Sequence, residues 1–283
     1  MQAQIHEQGP RLSVSTWSLH RTLGDPPSYG PEVAGPLPPR REGGIPLLEL
    51  PERLAAFGIH TLEICHFHLP SRDPGYLDEL RGALQAAQIE LWSLLIDAGD
   101  VTDPAHGPRD EAWITGWLPV AARLGAARAR VVAGKQPPGD ETLARSEAGL
   151  RRLSATAQEH GLRLMTENWL GMMRNATVVN RLLDALDGQV GLCADFGNWQ
   201  GPDKYDELAA ILPRAESCHA KCHFDAAGVM DQTDYTRCLD LSRAAGFRGP
   251  YTLIYDGPDP DEWAGLARER AVVQPYVQPY PVR

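Results

Sequence analysis

The chain has 283 residues, with 37 acidic against 27 basic side chains, a formal net charge of −10, and 43% hydrophobic and 23% charged residues. No apolar run is long enough to span a bilayer, and the acidic excess makes nucleic acid a poor partner. Length alone permits one barrel-sized α/β domain with an ample core.

Short apolar or β-branched runs read as strands at 11–16, 61–67, 90–95, 127–133, 162–167, 190–195, 216–221 and 251–255. Amphipathic patterns between them read as helices at 47–57, 75–87, 110–124, 140–160, 177–186, 204–212, 233–245 and 261–276. Asp73-Pro74 and Asp259-Pro260 read as N-caps followed by proline, and Gly58, Gly125, Gly161 and Gly246 as helix stops. Strands and helices in strict alternation predict a single-domain (β/α)8 TIM barrel over residues 1–283. A doubly wound open sheet is the rival, but no GxGxxG follows the first strand.

The chain carries 27 glycines and 24 prolines, and the segment 24–46 alone holds seven of the prolines and five of the glycines. It follows the first strand, so it reads either as a lid over the C-terminal barrel face or as a disordered linker. The Pro-rich tail, 274–283, is expected on the surface or against the partner subunit of a homo-oligomer. Residues 1–7 have neither a basic start nor an apolar core, so no secretory signal is expected. Five scattered cysteines without CxxC spacing then read as reduced thiols of a cytoplasmic protein.

Catalytic groups of such barrels stand at the C-terminal strand ends. The fifth strand ends in Glu167, the sixth in Asp195 and the seventh in His219 followed by Lys221. Two carboxylates and an imidazole suit Mn²⁺, Mg²⁺, Co²⁺ or Zn²⁺. Taken singly each has a plainer reading: Glu167 as a cap, Asp195 as a turn residue, His219 as a satisfied core histidine, Lys221 as a solvated rim lysine. Strand alternation places His219 and Lys221 on one face and Cys218 and Cys222 on the other, which disfavours a Cys/His zinc site. Trp17, Trp169 and Trp199 close three strands and read as walls for a sugar face or as ordinary rim residues. Arg130 and Lys135 are the candidates for gripping an anion, but no phosphate-binding glycine loop is evident.

In this order and spacing, the segments 55–69 (with Glu63), 130–134, Thr166-Glu167-Asn168-Trp169, Ala194-Asp195-Phe196-Gly197-Asn198, His219-Ala220-Lys221, 233–235 and 246–257 carry a resemblance. The chain is similar to the xylose isomerase-like TIM barrel superfamily of sugar isomerases and epimerases from Leu12 to about Leu266. The resemblance implies one divalent metal held by Glu167, Asp195 and His219, with Ile254 standing where the family carries a fourth, glutamate ligand. Asp256, two residues on and about 6.6 Å higher along a strand, would reach the metal only through a bulge. His66, His68 or Glu63 from the second strand are further ligand or substrate-contact candidates. Asn198 stands where several epimerases carry a substrate-contacting histidine.

Without the fourth carboxylate, opposed two-base chemistry loses a partner. The remaining set suits one-base chemistry on a small carbohydrate-like substrate: Glu167 removes a proton α to a metal-polarised carbonyl, giving a metal-stabilised enediolate, and Lys221 or water returns it. The leading expectation is a sugar or polyol isomerase or epimerase. A lyase or dehydratase on a related keto sugar, or a degenerate ligand-binding barrel without a complete metal site, are the alternatives.

Overall fold

The computed structural model describes residues 9–33 and 43–277. Eight parallel strands close in chain order into a barrel, β8 pairing back onto β1. They are β1 (Arg11–Ser15), β2 (Thr61–Cys65), β3 (Glu90–Ile96), β4 (Arg128–Val131), β5 (Arg163–Glu167), β6 (Gly191–Asp195), β7 (Ala215–Lys221) and β8 (Pro250–Ile254). The surrounding helices are α1 (Leu50–Phe57), α2 (Pro74–Ala86), α3 (Gly107–Thr115), α4 (Leu118–Leu124), α5 (Asp140–Glu159), α6 (Ala176–Ala185), α7 (Lys204–Ile211), α8 (Gln232–Ala244) and α9 (Glu262–Val273). This is the expected (β/α)8 barrel.

The strands are buried on both faces, which is why they read as apolar runs rather than as alternating patterns. Their outward residues pack with the helix stripes into one continuous core. Inward positions midway along the bore are small and fully buried, Ser13, Ser93, Ser217 and Thr252, so the large inward side chains collect at the two ends. At the N-terminal end, Arg11 pairs with Glu90 at 2.7 Å, and Arg128 and Arg163 pair with Glu216 at 3.3 and 2.5 Å. The Arg128 guanidinium also stacks over Trp92 at 3.6 Å. These contacts close the bore at the end where barrels place stability rather than chemistry.

Several boundaries depart from the sequence reading, each for a local reason. The helix expected over 110–124 is two helices, because Pro119 has no N–H to continue a ladder and seats at the start of α4 instead. The second strand stops at Cys65, and His66–His68 turns as a 3-10 helix. Asp261 rather than Asp259 caps α9, its side chain accepting from the Ala264 N–H at 3.0 Å. Asp73 and Pro74 open α2 as expected, and Gly58 takes the left-handed conformation (φ 79°) that ends α1.

The loop after β1 is tied down on both sides of the mouth. The buried Glu262 accepts from the Arg21 and Thr22 backbone N–H groups at 2.9 and 2.8 Å and from the Thr22 hydroxyl at 2.7 Å. Tyr29 packs its ring against His66, Trp113 and Trp117. The middle of the expected lid, 34–42, lies outside the described residues, as do 1–8 and most of the Pro-rich tail, 278–283. Among the described residues no helix is long and apolar enough to cross a membrane. All five cysteines are free and buried.

Candidate active site

Register assembles the C-terminal mouth. Glu167 stands level with Cys193, Asp195 with His219, His219 with Thr252 and Lys221 with Ile254. Asn168 fastens β5 to β6: its side chain accepts from the Asp195 N–H at 2.7 Å and donates to the Asp195 carbonyl at 3.1 Å. The three strand-end residues singled out by the sequence therefore meet, and they meet around one imidazole.

His219 is 4% exposed. Its Nε2 lies 2.8 Å from Glu63 Oε2, and a carboxylate can only accept, so Nε2 carries the proton. Its Nδ1 then faces Glu167 Oε2 at 3.4 Å and Asp195 Oδ2 at 3.6 Å. A lone pair cannot rest against two carboxylate oxygens without a positive charge between them. Either a second proton or a cation supplies it. Burial alone disfavours the imidazolium, but Cys193, Glu167 and Glu63 hold the His219 pKa well above its usual value. Donor separations of 3.4 and 3.6 Å are close to the roughly 3–3.5 Å expected between oxygen or nitrogen ligands each about 2.1 Å from one ion. The donor set thus fits a divalent cation, and Glu63 holds the ring as outer carboxylates do at metal-bound histidines.

Glu167 is clamped on both oxygens. Asn198 Nδ2 donates to Oε1 at 2.8 Å, and Arg130 Nε stands 3.1 Å from Oε2. Burial pushes this carboxyl up, but Arg130 and His219 more than reverse the effect and hold its pKa at about 2. Arg130 is itself buried and pairs at 2.5 Å with Asp97, at the end of β3. Its guanidinium lies 5.5 Å from the centre of the Trp169 ring. It is therefore committed to two carboxylates rather than free to grip an anion. Asp195 Oδ1 accepts from the Gly197 and Asn198 N–H groups at 2.6 and 2.9 Å, leaving Oδ2 toward His219.

These groups open onto a cavity of about 310 Å³, lined also by Ser15, Trp17, Ser28, Cys65, Phe67, Leu95, Trp169, Lys221 and Ile254. Of the candidates from sequence, Trp17, Arg130, Glu167, Trp169, Asp195, Asn198, His219 and Lys221 line it. Glu63 sits behind His219. Three others turn elsewhere. His66 accepts from the Asp97 N–H at 3.2 Å and reaches the Tyr29 carbonyl at 2.8 Å, which makes it a neutral brace between two loops. His68 meets the Thr16 hydroxyl at 2.8 Å and His20 at 3.0 Å. Trp199 donates to the Met173 carbonyl at 2.9 Å within the core. The reason for the histidines is parity: with Glu63 turned inward toward His219, Cys65 and Phe67 face the cavity and His66 and His68 face away from it. Asp256 pairs with Lys221 Nζ at 2.6 Å instead of descending to the donor cluster. Lys221 is half-buried, and although burial disfavours its charge, Asp256 keeps its pKa raised.

Sequence reasoning missed Cys193 and Asp97. Donor atoms of Glu167, Cys193 and His219 all lie within 4.8 Å of one another. Alternation from Asp195 already turned Cys193 inward, and alternation from Leu95 did the same for Asp97.

A family model for the xylose isomerase-like TIM barrel matches residues 51–272. Comparison with curated protein sequences returns no match. Among solved structures, the chain is similar to the D-allulose 3-epimerase of Methylomonas sp., with a TM-score of 0.68 at 14% identity over 95% of this chain and 99% of that one. A xylose isomerase-like TIM barrel protein from Mycobacterium smegmatis, solved in complex with magnesium, gives a TM-score of 0.64 at 14% identity over 94% and 96%. An L-ribulose 3-epimerase gives 0.67 at 14% over 95% and 94%. At such identity these neighbours establish the fold, and the family match covers most of the barrel. The chain belongs to the xylose isomerase-like TIM barrel family.

Proposed function

We propose that the cavity binds a small sugar or polyol derivative with a carbonyl beside a hydroxyl-bearing carbon, and that the protein isomerises or epimerises it by moving the proton on that carbon. The observation that carries this reading is the His219 nitrogen faced by Glu167 and Asp195 beneath an open cavity at the barrel mouth. The magnesium bound by the M. smegmatis protein and the sugars named for the epimerases agree with it.

Glu167, Asp195 and His219 would hold a divalent cation, which when bound supplies Lewis-acid polarisation of the substrate carbonyl. Glu63 fixes the His219 tautomer so that Nδ1 is presented as a donor. Glu167 is ionised at any ordinary pH, but a pKa of about 2 makes it a weak base, so it deprotonates only a carbon made acidic by its carbonyl. Lys221, kept protonated by Asp256, returns a proton from the rim. Trp17 and Trp169 offer flat walls for the sugar.

Among the described residues every carboxylate lining the cavity comes from the ends of β3, β5 or β6, whereas β8, β1 and β2 and the residues just after them present Ile254, Ser15, Trp17, Cys65 and Phe67. With bases on one side only, proton removal and return from that side, as in aldose–ketose isomerisation, is favoured over exchange between opposed bases.

The test is incubation of a panel of ketoses and aldoses with Mn²⁺-loaded protein in D₂O. Deuterium is expected at the carbon α to the carbonyl, and Asp195→Ala is expected to lose bound metal and to reduce exchange about 10²–10⁴-fold. Absence of bound metal in the wild type, or of exchange across the panel, overturns the reading.

A further inference from the structure

We infer that Cys193 supplies a sulfur donor to the cation held by Glu167 and His219, making the centre a mixed sulfur, nitrogen and oxygen site selective for Zn²⁺ or Co²⁺ over Mg²⁺. This rests on the metal centre proposed above and adds to it the identity of a ligand and the class of metal.

The first argument is placement. Cys193 lies two residues before Asp195 on β6, so both side chains enter the bore, and register sets Cys193 level with Glu167. One donor atom from each of Glu167, Cys193 and His219 lies within 4.8 Å of the other two, and all three residues are buried. Asp195 is not a member of that triad.

The second argument is the company each cysteine keeps. Cys218, Cys222 and Cys238 pack into the main apolar core, and Cys65 packs with Phe67 and Leu95. Cys193, 1% exposed, belongs to neither apolar cluster. It is a buried thiol set among a carboxylate and an imidazole.

The third argument is the donor count. Asp195 spends Oδ1 on two backbone N–H groups, and Ile254 contributes no donor from β8. Glu167, Asp195 and His219 then leave a small divalent ion one ligand short of four. Sulfur from Cys193 completes four protein donors, the cysteine losing its S–H proton to solvent as the metal–sulfur bond forms, and the substrate carbonyl would enter as a fifth ligand. A thiolate favours borderline ions such as Zn²⁺ and Co²⁺, while Mg²⁺ takes oxygen.

Titration of the whole metal-free chain with Co²⁺, followed by absorption spectroscopy, tests this. The wild type is expected to show visible d–d bands together with a near-ultraviolet sulfur-to-cobalt charge-transfer band. Cys193→Ser should lose the charge-transfer band yet still bind Co²⁺, with Zn²⁺ affinity reduced at least tenfold and Mg²⁺ affinity unchanged. Cys218→Ser should retain the band. Stoichiometric d–d bands in the wild type without charge transfer, or a charge-transfer band that survives in Cys193→Ser, would overturn sulfur ligation and leave the metal centre standing. Failure of the wild type to bind Co²⁺, Zn²⁺ or Mn²⁺ would overturn both. The wild-type spectrum needs no variant, and Cys193→Ala repeats the comparison if the serine variant does not fold.

Discussion

The barrel mouth has two halves of opposite chemistry. From β3 to β7 it presents Asp97, Arg130, Glu167, Asp195, His219 and Lys221; from β8 through β1 to β2 it presents Ile254, Ser15, Trp17, Cys65 and Phe67. Among the described residues the neutral half has Glu63 and Asp256 nearby, and neither lines the cavity: Glu63 is 1% exposed and bonded to His219, and Asp256 is paired with Lys221. The contrast teaches that charge in this bore is affordable only where it is matched. Arg130 stands between Asp97 and Glu167, and His219 among Glu63, Glu167 and Asp195. Among the described residues lining the cavity, the neutral half has no such partner for an added carboxylate except Lys221, already paired with Asp256. Charge is thereby confined to one side of the cavity and apolar packing to the other.

The most direct way to break the charged half is to remove its central cation. Arg130→Met strands the buried Glu167 and the partly buried Asp97 and is expected to cost about 3–5 kcal/mol in chemical denaturation. It should also raise the Glu167 pKa from about 2, moving the acid limb of metal binding upward in pH. Placing charge in the neutral half is the converse experiment. Ile254→Glu is expected to cost about 1–3 kcal/mol in the metal-free protein. Added Mn²⁺ should narrow that deficit if the new carboxylate reaches the ion.

A smaller effect distinguishes the proton from the metal at His219. Its folded pKa is raised, so its contribution to stability is complete below the unfolded value of about 6.5. That contribution disappears as pH rises through the folded value. The metal-free protein should therefore lose thermal stability with rising pH over that window, His219→Gln should lack this decline, and bound metal should offset it. The smallest effect belongs to the neutral wall. Trp17 is 41% exposed, and Trp17→Ala is expected to raise KM by roughly two- to tenfold, corresponding to about 0.5–1.5 kcal/mol of lost ring contact, with kcat little changed.

The strand-end residues Glu167, Asp195 and His219 were legible because a barrel puts chemistry at strand ends and the strands themselves were legible from their apolar runs. Cys193 was legible in principle from parity, but a cysteine inside an apolar run reads as packing until its neighbours across the sheet are known. Arg130 was read as an anion grip because its two carboxylates come from different strands, 33 and 37 residues away in sequence. His66 and His68 were misplaced for a smaller reason. Parity from the inward Glu63 already turned both away, leaving Cys65 and Phe67 to face the cavity.

The sequence by itself determined the alternation of eight strands and their helices, the irregular loop after β1, and which strand ends carry polar groups. All of these follow from local periodicity and chain-breaking residues. Only the tertiary structure decided which His219 nitrogen faces the site, that Glu63 backs it, that Arg130 belongs to Glu167 and Asp97, and that Lys221 belongs to Asp256. Those pairings depend on inter-strand register and barrel closure, and neither is written in the pattern of any single strand.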